Sequence, residues 1–208
     1  MFQIRVIEWS DRKANQDLLE NYFRMRHTIY VETRQWSDIE RPIAMEIDAF
    51  DDPKAIYLIG TGDDGSIMGG TRLVPTLGPH LMSEVFPQLA GNQLPRASNI
   101  LEWTRFFVAP SLRVPNNPSK AGGIVLCGMI EYALLHDIAG ISVVCEAFWR
   151  DRFKKLGWQF EQLGPVLHHR HGDIVGLLIH IVPAILAATK EAYGLDLDQS
   201  CLKAEAHG

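Results

Sequence analysis

The run Ile100-Leu101-Glu102-Trp103-Thr104-Arg105-Phe106-Phe107-Val108 constrains this chain more than any other stretch. It reads as a buried central strand, ended by Ala109-Pro110. Yet it carries a carboxylate and a guanidinium, and a buried charge is costly unless it is paired. Charges of both signs recur upstream as Arg26, Asp48, Asp51 and Arg72, with Trp36 among them. Their surroundings read as pocket wall rather than solvated surface. Opposite charges among apolar residues suit a zwitterionic, cationic small molecule, and the carboxylates supply a base.

The rest of the chain places that strand in an α/β layout. Residues 2–8 alternate like a short strand. Leu18, Leu19, Tyr22 and Met25 recur at helical spacing, with Arg26 at the edge of the stripe. Residues 31–46 show no period and read as a long loop with short helical pieces. Residues 55–61 and 67–74 form two strands around the turn Asp63-Asp64-Gly65. Gly69-Gly70 in the second strand marks a bulge or a close backbone approach. A short helix is expected over 81–89, a loop over 110–123 and an apolar helix over 124–138. A strand at 141–145 and a helix at 148–156, closed by Gly157, follow. The apolar stretch from Ile174 to Thr189, broken by His180 and Pro183, reads as buried structure. It is too short for a membrane span of about 20 residues.

With 208 residues and no visible linker or repeat, the expectation is a single domain over 1–208. A formal charge of -5 argues against a nucleic-acid partner. Cys127, Cys145 and Cys201 have no metal-like spacing and read as reduced, structural thiols of a cytoplasmic protein. The N-terminus lacks the layout of a signal peptide. His168-His169-Arg170-His171 has no carboxylate or cysteine at ligand spacing, so it reads as surface loop with no metal.

The order of strand, Pro-bearing exit, glycine-containing loop, helix, strand and short helix resembles the core of the GNAT acyltransferases. There one strand splays from its neighbour, and loop amides hold a pantetheine-bearing donor. The loop Pro118-Ser119-Lys120-Ala121-Gly122-Gly123 is a degenerate version of the expected glycine-rich cradle. More specifically, the chain resembles the LuxI-type acyl-homoserine-lactone synthases. The matching pieces are Arg26-x-x-Ile29-Tyr30, Trp36, Glu46-x-Asp48-x-Phe50-Asp51, Gly70-x-Arg72-Leu73-x-Pro75-Thr76 and Glu102-x-Thr104-Arg105-Phe106. Gly78-Pro79-His80-Leu81-Met82-x-x-x-Phe86-Pro87 and Leu163-Gly164-Pro165 extend the likeness from about residue 20 to 167. Tyr30 stands where the family usually has Phe, and Thr104 where Ser is commoner.

The resemblance implies a mixed, mostly antiparallel twisted sheet with a splayed central strand pair, flanked by helices. It implies acylation of the amine of S-adenosylmethionine from an acyl carrier protein or coenzyme A thioester. Lactone closure then releases methylthioadenosine, making a quorum-sensing signal. S-adenosylmethionine is a substrate, and no cofactor or metal is implied. Glu102 is the first choice for base, with Asp48 left open. Asp48 and Asp51 would hold the ammonium or sulfonium. Arg26 and Arg105 would hold carboxylates, and Arg72 would orient Asp48 or Glu102. Tyr30 and Trp36 would face the adenine or sulfonium, and backbone amides around Phe106 and Phe107 would serve the oxyanion.

Trp103, Phe148 and Met82 would shape the acyl tunnel. At the place of Cys145, members of the family that prefer 3-oxo chains tend to carry Thr; a thiol is a weak donor, so the resemblance implies acyl chains without a 3-oxo group. Arg150, Arg152, Lys154 and Lys155 form a basic patch for docking an acidic carrier or coenzyme A phosphates. Two other readings stay open: a general N-acetyltransferase using acetyl-CoA, and a non-catalytic S-adenosylmethionine-binding module. The oligomeric state is not legible.

Overall fold

The computed structural model describes residues 2–39, 41–113 and 119–204. Seven strands form one sheet in the order β1-β2-β3-β4-β5-β7-β6. The strands are β1 (Ile4–Ile7), β2 (Ile56–Thr61), β3 (Ile67–Pro75), β4 (Ile100–Val108), β5 (Gly140–Glu146), β6 (Phe160–Gln162) and β7 (Ile174–His180). Every pairing is antiparallel except β4 with β5. The helices are α1 (Gln16–Arg26), α2 (Leu81–Glu84), α3 (Lys120–Leu135), α4 (Trp149–Lys155) and α5 (Pro183–Ala192).

Alternation along the strands splits the core into two layers. Tyr57 and Ile59 of β2 join Ile7, Leu19, Tyr22 and Phe107 on the α1 side. Leu58, Leu73 and Trp103 join α3, α4 and α5 residues on the other. Gly70 permits the first layer. A Cβ there would lie 2.9 Å from both the Leu58 carbonyl and the Tyr22 ring. The close approach expected of Gly69-Gly70 is therefore made by a helix aromatic.

Two features of β4 shape everything that follows. First, its parallel pairing with β5 ends at Trp103 and Val143. Beyond that point β4 runs on to Val108 and β5 to Glu146 without partnering one another, so the strands splay. Second, Gly70 pairs with Phe107 but Arg72 with Thr104, so Thr71 alone opposes Arg105 and Phe106. This is a β-bulge, and Arg105 adopts φ +56° within it. A non-glycine residue there costs on the order of 1 kcal/mol or more and needs compensating contacts.

The structure corrects several sequence boundaries. α3 begins at Lys120 rather than 124, so Gly122 and Gly123 sit in its first turn, not in a loop. Gly123 is required there because a Cβ would meet the Tyr193 ring at 2.4 Å. Of the degenerate cradle, Pro118 lies outside the described residues. The expected 81–89 helix is only α2 followed by a 3-10 turn, Pro87–Ala90. Pro87 disfavours helical backbone at the residue before it. Residues His27–Thr33 continue α1 as π-helix rather than opening a loop. The apolar end resolves into β7 and α5. Short β6, with little apolar pattern, gave no sequence signal. Arg26 is not at the edge of the α1 stripe but fully buried.

Candidate active site

A cavity of about 890 Å³ opens where β4 and β5 part. One wall carries Ile29, Tyr30, Trp36, Asp48, Arg105 and Phe107. The opposite wall carries Trp103, Phe106, Val143, Cys145, Trp149 and Phe153. The first set adjoins the α1 layer and the second the α3 layer. The splayed gap thus joins a charged, aromatic lobe to a mainly apolar one.

Behind the first wall six side chains close into a ring of alternating charge. Arg26 pairs with Glu46 at 2.5 Å and Asp51 at 2.8 Å. Arg72 pairs with Asp51 at 2.7 Å and Asp48 at 2.6 Å. Arg105 pairs with Asp48 at 2.8 Å and Glu46 at 2.9 Å, which closes the circle. Arg26 to Asp51 and Arg72 to Asp48 are two-point contacts, the geometry in which a guanidinium binds carboxylate best. Tyr57 donates to Asp51 at 3.0 Å, and the Asp48 amide does so at 2.8 Å. Ions this deeply buried persist only because each is paired more than once.

Burial acts to raise the Asp51 pKa, but Arg26 and Arg72 outweigh it and hold the carboxyl well below the usual range. Asp48 is lowered in the same way, burial being overcome by Arg72 and then Arg105. Of the ring, only Asp48 and Arg105 reach the cavity, their side chains 12% and 8% exposed. Arg26, Arg72, Asp51 and Glu46 stand behind them and fix their positions. The sequence reading omitted Glu46 from the site, although the run Glu46-x-Asp48-x-Phe50-Asp51 contained it.

Glu102 takes no part in the ring. It is fully buried and accepts hydrogen bonds from the Leu81 and Met82 amides at 2.6 and 2.7 Å. Burial pushes it up to about 7, against the opposing pull of those amides. It lies behind the wall formed by Leu81 and Thr104 rather than on it. Arg72 therefore orients Asp48, not Glu102, and its Nε donates to Thr104 at 3.0 Å.

The aromatic residues fall on both sides. Tyr30 stacks on Trp36 with centroids 5.0 Å apart, and its hydroxyl donates to the Phe106 carbonyl at 2.9 Å. Arg34 lies over both rings. Phe106 packs on Trp103 and Trp149, whereas Phe107 packs on Tyr22. Cys145 is half-buried, and burial pushes its thiol up, so it is a neutral group on the wall. Phe148 stands at the rim, 60% exposed. Of the basic patch only Arg152 reaches the cavity, over the Trp149 ring; Arg150 binds Gln162 and the Ala147 carbonyl. Lys154 and Lys155 are exposed and are not among the lining residues.

Sequence reasoning missed Arg34, Arg113, Tyr193 and the 169–171 loop as lining residues. His169, Arg170 and His171 do not merely form surface: they edge the cavity, and Arg170 pairs with Asp38. Among the described residues no group of three His, Cys, Asp or Glu could hold a metal ion. No helix among them is long and apolar enough to cross a membrane.

A splayed parallel pair in an otherwise antiparallel sheet, with a two-lobed cavity at the split, defines the GNAT-like acyltransferases. The fold also matches a putative N-acetyltransferase from Lactobacillus plantarum, with a TM-score of 0.56 and 14% identity. The family model for autoinducer synthase matches residues 10–182. The chain belongs to the autoinducer synthase family and is an acyltransferase. It is 36% identical over 162 residues to the isovaleryl-homoserine lactone synthase of Bradyrhizobium diazoefficiens, covering 77% of this chain and 72% of that one. The solved CoA-dependent acyl-homoserine lactone synthase MesI is 49% identical with a TM-score of 0.87, covering 99% of this chain and 100% of that one. BjaI, another CoA-dependent synthase solved with SAM and isopentyl-CoA, is 30% identical with a TM-score of 0.89, over 98% and 93% of the chains.

Proposed function

We propose that the protein is an acyl-homoserine-lactone synthase that takes its acyl group from coenzyme A. It acylates the amine of S-adenosylmethionine, then closes the lactone and releases methylthioadenosine as a quorum-sensing signal is made. The observation that carries this is the pair of unlike lobes meeting at the splay. One offers a carboxylate, a guanidinium and stacked aromatics to a cationic amino acid. The other offers an apolar, aromatic bed to an acyl chain.

The amine is protonated near neutral pH and must lose a proton before attacking the thioester. Asp48 binds the ammonium, but its depressed pKa makes it a poor base. Glu102, pushed up to about 7, has the right basicity and takes the proton through water. The amides of Phe106 and Phe107 lie on the part of β4 that β5 has left, and they steady the tetrahedral oxygen. Thiolate then leaves. The methionyl carboxylate, steered by Arg105, attacks its own γ-carbon and expels the neutral thioether. Tyr30, Trp36 and Arg34 hold the adenosyl end. Asp51, Arg26, Arg72 and Glu46 act by holding Asp48 and Arg105.

Trp103, Phe106, Trp149 and Phe153 crowd the acyl lobe, so the acyl group is compact. Cys145 offers only a weak donor, so it lacks a 3-oxo group. Arg113 and Arg152 face the donor's phosphates. The relatives' dependence on coenzyme A supports that donor over an acyl carrier protein. Charge reversal at Arg150 and Lys154 is therefore expected to leave KM for acyl-CoA unchanged. The protein works in the cytoplasm, where its thiols stay reduced.

The test is incubation with S-adenosylmethionine and a panel of acyl-CoA and acyl-carrier donors, followed by mass spectrometry. Methylthioadenosine and lactone are expected together and lost in Glu102→Gln. Thiol release onto another amine points to a general acetyltransferase. Binding of S-adenosylmethionine without any turnover points to a sensor.

A further inference from the structure

Trp103 forms the buried wall of the apolar lobe, only 3% exposed. Its ring meets Phe106 and Trp149 edge-on and Phe153 at a tilt. Such contacts leave an indole N–H to be satisfied, and a buried donor needs an acceptor. Here Trp103 Nε1 donates to Thr71 Oγ1 at 2.7 Å. Thr71 is itself fully buried, and its hydroxyl donates to the Thr104 carbonyl at 2.9 Å. Thr71 is also the lone residue opposite the Arg105-Phe106 bulge. One hydroxyl thus ties the ring facing the apolar lobe to the backbone where Arg105 turns toward the charged ring. Thr71 does not line the cavity itself.

We propose that Thr71 is a positioning residue for acyl specificity: by accepting the Trp103 indole N–H, it fixes the ring and so sets the depth of the acyl lobe. The inference rests on the apolar lobe being the acyl site. Without the hydroxyl the indole must turn to another acceptor, and the lobe changes shape. Long chains, excluded by the fixed ring, then gain access.

The experiment measures kcat/KM for butyryl-, isovaleryl- and octanoyl-CoA with saturating S-adenosylmethionine. The variants are Thr71→Val, Thr71→Ser, Trp103→Phe and the double Thr71→Val/Trp103→Phe. In Thr71→Val the ratio of isovaleryl to octanoyl turnover is expected to fall by about tenfold, the scale of one or two misplaced methylenes. KM for S-adenosylmethionine stays within about twofold, as for a site left uniformly bound. Thr71→Ser, which keeps the acceptor, retains the original ranking. With Trp103→Phe already present, Thr71→Val adds nothing, because the two residues act as a unit. An unchanged ratio in Thr71→Val overturns the proposal, as does an equal effect with and without Trp103. If Thr71→Val fails to fold, Thr71→Ala is read by the same criteria. Absence of lactone from the unmodified protein with every donor defeats the functional reading instead.

Discussion

Glu102, fully buried on β4, and Asp48, at the cavity wall in the loop ahead of β2, are carboxylates whose surroundings drive their pKa values apart. Two arginines hold Asp48 down, while desolvation lifts Glu102 to about 7. A base must be ionised, so kcat/KM is expected to rise with pH and level off above about 7 (a pH–rate profile checks it). Glu102→Gln should abolish that limb and lower turnover on the order of 10²–10³-fold, with S-adenosylmethionine still bound in a calorimeter. The linkage to stability has the opposite sign at the two sites. A raised Glu102 favours its protonated form, so its contribution is lost as pH rises through about 7. Asp48 and Asp51 are lowered, so the stability they add is present above the ordinary Asp range and is lost as pH falls toward their folded values. Removing a ring member without its partner strands a buried charge. Arg26→Met is expected to cost about 3–5 kcal/mol in urea unfolding, since it leaves Glu46 and Asp51 each short of a cation.

The bulge in β4 turns a chain that would otherwise alternate in and out into one that points Arg105 toward the ring. Arg105→Gly keeps the backbone conformation comfortable while it takes a cation from Glu46 and Asp48. It should therefore raise KM for S-adenosylmethionine, and initial-rate kinetics would read this directly. How much of this could be seen beforehand differs by element. The charged residues inside an apolar strand were visible because their burial is improbable without partners: the ring supplies them for Arg105, and the Leu81 and Met82 amides for Glu102. Glu46 was passed over because its neighbours Met45 and Ile47 gave no reason to set it apart from Asp48. The α3 start was misplaced because glycines read as loop, whereas Gly123 is there to admit the ring of Tyr193, just past the end of α5. That contact joins residues seventy positions apart, which no local pattern encodes. The tail beyond α5 was likewise silent. Ile4 bonds to Cys201 and Lys203 across the free edge of β1, and Glu131 gathers Lys190, Ser200 and two amides. Ending the chain at Gly194 would expose that edge. A lower melting temperature with concentration-dependent light scattering is expected.

At the scale of the whole molecule, the two lobes lie on opposite faces of a single sheet and meet only through the opening between β4 and β5. The three guanidinium groups and three carboxylates of the ring cancel. A cationic substrate approaching that lobe therefore meets no net long-range pull from the ring. Under the proposed function it is recognised at contact, by Asp48 and the aromatic faces, where counter-ions do not intervene. The proposed acyl donor, coenzyme A, is a polyanion, and Arg113 and Arg152 at the cavity are not part of that balance. Raising sodium chloride from about 50 to about 500 mM shortens the screening length to a few ångströms. KM for acyl-CoA should then climb several-fold while KM for S-adenosylmethionine barely moves. On that reading, a closed circle of charges would make one of the enzyme's two substrates indifferent to the saltiness of its surroundings and leave the other exposed to it.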